Sequence, residues 1–112
     1  MKSILLDTSF IIAAVAKKID FFEMLEAEGF NVLIPQQVIN ELEGLGENLA
    51  LNILEKEKFD LVSIPGKDAD AAIVNFAKKD PKAVVATLDK GLQKRVKNSK
   101  IIIRGRKKLE IL

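Results

Sequence analysis

Residues 3–15 read SILLDTSFIIAAV: three unbroken aliphatic residues, an aspartate, and then a second, longer apolar stretch. Ile4, Leu5 and Leu6 do not alternate with polar residues, so a strand over Ser3–Leu6 would be covered on both faces. The spacing after Asp7 predicts a helix through about Val15. Asp7 therefore stands where an apolar strand ends and a helix begins.

The same unit recurs along the chain. An amphipathic helix is predicted near Asp20–Glu28, stopped by Gly29 as a natural C-terminal cap. Asn31–Ile34 (NVLI) predicts a strand closed by Pro35, which has no N–H for a ladder. Helices near Gln36–Leu45 and Glu47–Lys58 are parted by Gly44 and Gly46. Leu61–Ile64 predicts a third strand, ended by Pro65-Gly66. A helix Ala69–Lys79, a strand Ala83–Thr87, a helix Lys90–Lys97 and a strand Ile101–Ile103 follow. A last extended piece, Leu109–Leu112, closes the sequence. Repeated strand–helix units with apolar strands imply an α/β fold, a three-layer α/β/α sandwich around a parallel sheet. At 112 residues the chain reads as a single domain over 1–112.

The chain has no His, Cys, Tyr or Trp. Ser–His and Cys–His nucleophiles, histidine bases, ordinary zinc sites and disulfides are thereby excluded. No G-x-G-x-x-G or G-x-x-x-x-G-K-[ST] loop is present to cradle a nucleotide. No apolar run approaches the roughly 20 residues of a membrane span. Asp7 interrupts the early apolar run, so no signal peptide is expected and the cytoplasm is the default compartment. For any catalysis, carboxylates with a hard divalent cation are the most economical chemistry left.

Acids placed directly after apolar strands are candidates for one shared site, because ligands of an open parallel sheet bind outside the strands' carboxyl ends. Asp7 follows ILL and Asp89 follows VVATL. Each also precedes a helix, so capping is the competing role. On the helix Ala69–Lys79, Asp70 shares a face with Ile73, Val74 and Ala77, whereas Asp68 lies on the polar side and suits the N-cap. A carboxylate aimed at apolar surface is costly unless paired or bound to a cation. Periodicity prefers Glu41 over Glu43 only slightly. Crowded carboxylates repel and raise one another's pKa values unless a cation neutralises them, and Mg²⁺ or Mn²⁺ would do so while reaching a phosphate.

Charge is distributed unevenly. Residues 1–88 carry nine basic and fourteen acidic side chains, and residues 89–112 carry nine basic and two acidic. A basic segment beside an acidic body serves a polyanion that must approach an acidic site, or is simply a solvated surface. Of the nine, Lys90, Lys94, Arg95, Arg104, Arg106, Lys107 and Lys108 follow the acidic body closely enough to flank such a site.

LLDTSF (5–10), LIPQQVINELEGL (33–45), GKDADAAIVNFA (66–77), VVATLDKGLQKRV (84–96) and IIIRGRKKLEI (101–111) resemble, in order, the successive motifs of PIN-domain nucleases. The likeness is greatest to small archaeal stand-alone members, akin to the ribosomal-RNA-processing endonuclease branch and to the toxin ribonucleases of toxin–antitoxin pairs. The resemblance implies a central sheet in the order 3-2-1-4-5 and an Mg²⁺- or Mn²⁺-dependent endoribonuclease. Asp7, Glu41, Asp70 and Asp89 match the family's four acids, which selects Glu41 over Glu43. Thr8 and Thr87 fall where the family has hydroxyls near the metal. RNA is the implied substrate, with Lys90, Lys94, Arg95, Arg104 and Arg106 as its expected contacts. A homodimer and an antitoxin or ribonucleoprotein partner are further implied, and no membrane. Two positions depart from the pattern: Ser9 and Leu88 stand where many relatives have Asn.

A different class of function is an RNA-binding or assembly module on the same fold with little catalysis. It rests on the basic segment and on those two departures. A phospho-acceptor receiver is disfavoured, because it needs an acidic pair at the first strand and Asp7 has no such companion.

Overall fold

The structure, a computed structural model, describes residues 2–112. In chain order its elements are β1 (Lys2–Leu6), α1 (Thr8–Ala16), α2 (Phe21–Ala27), β2 (Phe30–Pro35), α3 (Gln36–Gly44), α4 (Asn48–Glu55), β3 (Asp60–Val62), α5 (Ala69–Lys79), β4 (Val84–Ala86), α6 (Lys90–Arg95), β5 (Lys100–Arg104) and β6 (Lys108–Ile111). The strands form one six-stranded sheet in the order β3-β2-β1-β4-β5-β6. The first five are mutually parallel, as the unbroken apolar runs require.

The two faces of the sheet divide cleanly. Ile4, Leu6, Val32, Ile34, Val84 and Ala86 turn to one side and pack with Phe10, Ile11, Phe21, Phe22, Leu25, Val38, Leu42 and Leu54 of the first four helices. Leu5, Leu33 and Val85 turn to the other and meet Ile73, Val74 and Ala77 of α5 and Leu92 of α6. Strand residues alternate faces with period two, so both halves of an apolar run are buried only where helices cover each side. The expected three-layer sandwich is present.

The sheet extends the expected 3-2-1-4-5 order by one strand. β6 adds antiparallel to β5, with Ile103 opposite Leu109 and Arg104 opposite Lys108. Gly105, at φ +67°, supplies the left-handed residue that this tight reversal needs.

Boundaries differ from expectation for local reasons. β3 covers Asp60–Val62 rather than Leu61–Ile64, because the carbonyl of Ile64 is taken by the Gln37 side chain at 2.7 Å instead of a ladder. α6 ends at Arg95 rather than Lys97, since Val96 turns extended (φ −117°, ψ 140°) to reach the core. α4 stops at Glu55, short of Lys58, with the Lys56 amide closing its last turn on Ile53. Gly29 does follow α2 with φ +82°, as a C-terminal cap should.

Candidate active site

The carboxyl ends of β1 and β4 are stitched together where the acids lie. The Asp7 amide donates to the Ala86 carbonyl at 2.9 Å, carrying the β1–β4 pairing one residue past the ladder. This draws Asp7 inward to 3% exposure and sets it beside the fully buried Thr87. The Thr87 hydroxyl donates to Asp7 Oδ2 at 2.7 Å, and Ser9 Oγ donates to the same oxygen at 3.1 Å. Asp7 occupies the N-cap position of α1 but makes no side-chain cap bond, so capping does not explain it.

The pKa of Asp7 is raised. Burial is the chief cause, opposed by the hydrogen bonds from Thr87, Ser9 and the Thr8 backbone, with the charge of Glu41 adding to the rise.

Asp89 behaves differently. It is exposed and caps α6, its Oδ1 accepting the amides of Gly91 at 2.8 Å and Leu92 at 3.2 Å. Capping is real here, yet both bonds fall on one oxygen. Its amide donates to Thr87 Oγ1 at 3.1 Å, so Thr87 touches both strand-end acids.

Glu41 is a brace. Thr8 Oγ1 donates to its Oε1 at 2.9 Å, and the Ala69 amide, at the first residue of α5, donates to its Oε2 at 3.0 Å. The carboxylate thus ties α3 to the starts of α1 and α5. Glu43, one periodic step away, is exposed.

On α5, Asp68 is the N-cap residue and accepts from the Ala71 amide at 2.9 Å. Asp70 is half-buried on the side of Ile73 and Val74, as the helical period required. Its pKa is raised by burial first and then by the charges of Asp7, Asp89, Asp68 and Glu41. These acids therefore share one field. The loop before α5 is fixed by Gln37, whose Nε2 donates to the Ile64 and Gly66 carbonyls, and by Asn75 Nδ2 on the Pro65 carbonyl. Gly66 lies so close to α5 that a Cβ would come within 2.5 Å of the Ala72 amide.

As the side chains stand, no three acids among the described residues are gathered into a ready ligand set for an ion. Like charges without a counterion keep apart. The single ion pair among the described residues, Arg104–Glu110, involves none of them. Oxygen donors in a mutually repelling group, with no base to neutralise them, suit a hard divalent cation. Asp7, Asp70 and Asp89 are the residues available to hold one. Glu41 accepts one bond on each oxygen and keeps a lone pair on each with which it could join them.

Ser9 was visible in the sequence only as a departure from a family pattern. In the structure it is central, since its Oγ also accepts the Leu88 amide at 3.0 Å and lies 3.3 Å from Thr87 Oγ1. Its bond to Asp7 is local, but the partners that make it central, Thr87 and Leu88, lie some eighty residues away and leave no local signal.

The basic residues separate into two groups. Lys90 follows Asp89 directly. Arg95, by contrast, borders a hollow with Pro81 and Asn98, residues that lead into β4 and β5 and so lie toward the opposite edge of the sheet. Arg104 is engaged by Glu110, with Nε and Nη2 donating at 2.8 and 3.3 Å. The turn at 105–107 extends past the edge. Ala86 is level with Ile101, so Arg104 reaches three residues farther, roughly 10 Å at about 3.3 Å per residue. The turn therefore lies beyond the carboxyl end of β5, and Lys107 also lines a groove with Met24, Glu28 and Phe30.

No helix among the described residues is long and apolar enough to cross a membrane. In comparisons with known proteins, Ribonuclease VapC4 of Methanocaldococcus jannaschii is 35% identical, over 99% of this chain and 97% of its own length. A solved structure of the PIN domain endonuclease Utp24 superposes with a TM-score of 0.85 at 28% identity, covering 97% of this chain and 90% of that one. The family described as PIN like domain matches residues 4–108. With its sheet order, its strand-end acids and this match across nearly the whole sequence, the chain belongs to the PIN-like domain family.

Proposed function

We propose that the chain is a divalent-cation-dependent endoribonuclease, hydrolysing RNA phosphodiester bonds at the carboxyl edge of the sheet. The observation that carries this is Asp70, half-buried, uncompensated by any base, and pressed by the charges of Asp7, Asp89 and Glu41. The relatives named a ribonuclease and an endonuclease support the substrate class.

Asp7, Asp70 and Asp89 would hold Mg²⁺ or Mn²⁺, with Glu41 as a fourth acid. Such a cation, when bound, lowers the pKa of attacking water and steadies the leaving oxygen. The protein's own part is positioning. Thr87 and Ser9 hold Asp7 in one orientation and favour its charged form. Thr8 holds Glu41. Arg106, Lys107 and Lys90 attract the phosphate backbone, with Lys94, Arg95 and Arg104 as more distant contributors. RNA processing and toxin-type cleavage both fit this chemistry, and an antitoxin or ribonucleoprotein partner belongs with it.

A second reading is an RNA-binding or assembly module with little catalysis. It draws on one observation, that Glu41 spends both oxygens on structure. Incubating RNA with the protein in Mg²⁺, in Mn²⁺ and in chelator separates the two. Cation-dependent cleavage that disappears in Asp7→Asn supports the enzyme. Equal RNA binding with no cleavage in either cation supports the module.

A further inference from the structure

β6 closes the sheet on one side, and among the described residues no strand pairs with its outer edge. Its hydrogen-bonding register is fixed by Lys100 and Leu112, which exchange both backbone bonds, at 3.2 and 2.6 Å. Such reciprocal pairs recur every second residue in an antiparallel ladder, so Glu110 and Lys108 also direct their N–H and C=O groups at β5. Leu109 and Ile111 then direct theirs outward. An edge of this kind is a template for another strand.

The sequence along the edge is charge-palindromic. Lys108-Leu109-Glu110 reads the same in shape, with reversed sign, about Leu109. A second copy laid antiparallel and centred there would pair Leu109 with Leu109 through reciprocal backbone bonds. Lys108 of each copy would then stand opposite Glu110 of the other, twice, in the narrow pairs where Cα atoms approach to about 4.5 Å and side chains interact best. Glu110 is already steadied on that face by Arg104.

The opposite face of the hairpin is apolar. Ile111 is 57% exposed, a large value for a side chain of this kind. Beside it runs a groove of about 380 Å³ lined by Met24, Glu28, Phe30, Lys107, Leu109 and Ile111. The two-fold relation would bring both copies' Leu109 and Ile111 together on this side.

We propose that the β6 edge is a self-association surface, on which two copies of this chain join their sheets through Lys108-Leu109-Glu110. The proposal is independent of the nuclease reading, because it uses none of the strand-end acids.

Sedimentation velocity over a concentration series tests it, on the parent, Lys108→Glu, Glu110→Lys and an equimolar mixture of the two variants, each checked for folding by circular dichroism. The parent should dimerise. Each single variant sets like charges opposite each other twice, and should raise the dimer dissociation constant about tenfold or more. The mixture should restore dimers, since two acids of one chain then face two lysines of the other. Leu109→Pro, which removes an outward N–H and is tolerated on an edge, should also give monomer. A parent that stays monomeric throughout, single variants that dimerise as the parent does, or a folded mixture that stays monomeric would each overturn the proposal.

Discussion

The Thr87 hydroxyl and the Asp7 carboxylate, eighty residues apart, are joined by a 2.7 Å hydrogen bond that is fully buried. Thr87 Oγ1 also accepts the Asp89 amide at 3.1 Å. One hydroxyl therefore fixes the orientation of the first strand-end acid and the backbone of the second. Ser9 duplicates the arrangement, donating to Asp7 and accepting from Leu88.

Thr87→Val should damage both. The isosteric change leaves the Asp7 oxygen short of a donor and the Asp89 amide short of an acceptor, at a cost of about 1–3 kcal/mol. Melting temperature and RNA cleavage rate should fall together, and Thr87→Ser should recover most of each. Ser9→Ala should be milder, because Asp7 keeps Thr87. Its distinguishing mark is faster hydrogen exchange at the Leu88 amide. A Thr87→Val protein with parental stability and rate would show that the bond is incidental.

Asp7 and Asp70 both bind a proton more tightly in the fold than an ordinary aspartate does. Each supports the folded state most fully below the ordinary aspartate value of 3.8, and that support fades as pH rises through its raised folded value. In chelating buffer, Asp7→Asn should therefore melt above the parent at neutral pH. The difference should shrink as pH falls toward 4. Adding Mg²⁺ or Mn²⁺ at neutral pH should raise the parent's melting temperature and leave Asp7→Asn nearly unmoved, since only a state that binds the ion gains from it. Equal stabilisation of both proteins would take Asp7 out of the cation site.

What the sequence made legible follows from range. β1, β2 and β4 could be read because burial on both faces leaves unbroken apolar runs such as Ile4–Leu6 and Val84–Ala86. β6 was legible only as a last extended piece, Leu109–Leu112, and not as a sixth strand of the sheet, since Lys108–Ile111 mixes charged and apolar residues; Gly105 between two extended runs was the available hairpin signal. Asp68 and Asp70 were separable because helical period decides which carboxylate caps and which turns inward. Glu41 and Ser9 were not, because their roles are bonds to Thr8, Ala69, Leu88 and Thr87 that only the folded sheet edge creates.

Asp68 and Asp70 should respond oppositely to alanine. Asp68→Ala removes the bond to the Ala71 amide and should cost about 1 kcal/mol in denaturant unfolding, with cation binding retained. Asp70→Ala removes a repelled charge that makes no hydrogen bond among the described residues. It should keep or slightly gain stability while losing cation-dependent stabilisation. Exchanged phenotypes would mean that α5 presents its other carboxylate to the site.

The basic residues should divide by position rather than by charge. The 105–107 turn projects past the carboxyl end of β5, on the side of the sheet where the strand-end acids lie, whereas Arg95 borders a hollow beside Pro81 and Asn98. Each phosphate contact on single-stranded RNA releases counterions and contributes a slope of about −0.7 to log K against log salt. Arg106→Ala with Lys107→Ala should therefore weaken RNA binding in chelating buffer and flatten the salt slope by about 1.4 if both touch phosphates. Under cleavage conditions the same pair should raise KM and leave kcat nearly unchanged, because distant charges hold ground state and transition state alike. Lys94→Ala with Arg95→Ala should move the slope less. If that helix pair proves the stronger, RNA must run along α6 and across the α5 face, and not past the β5–β6 turn.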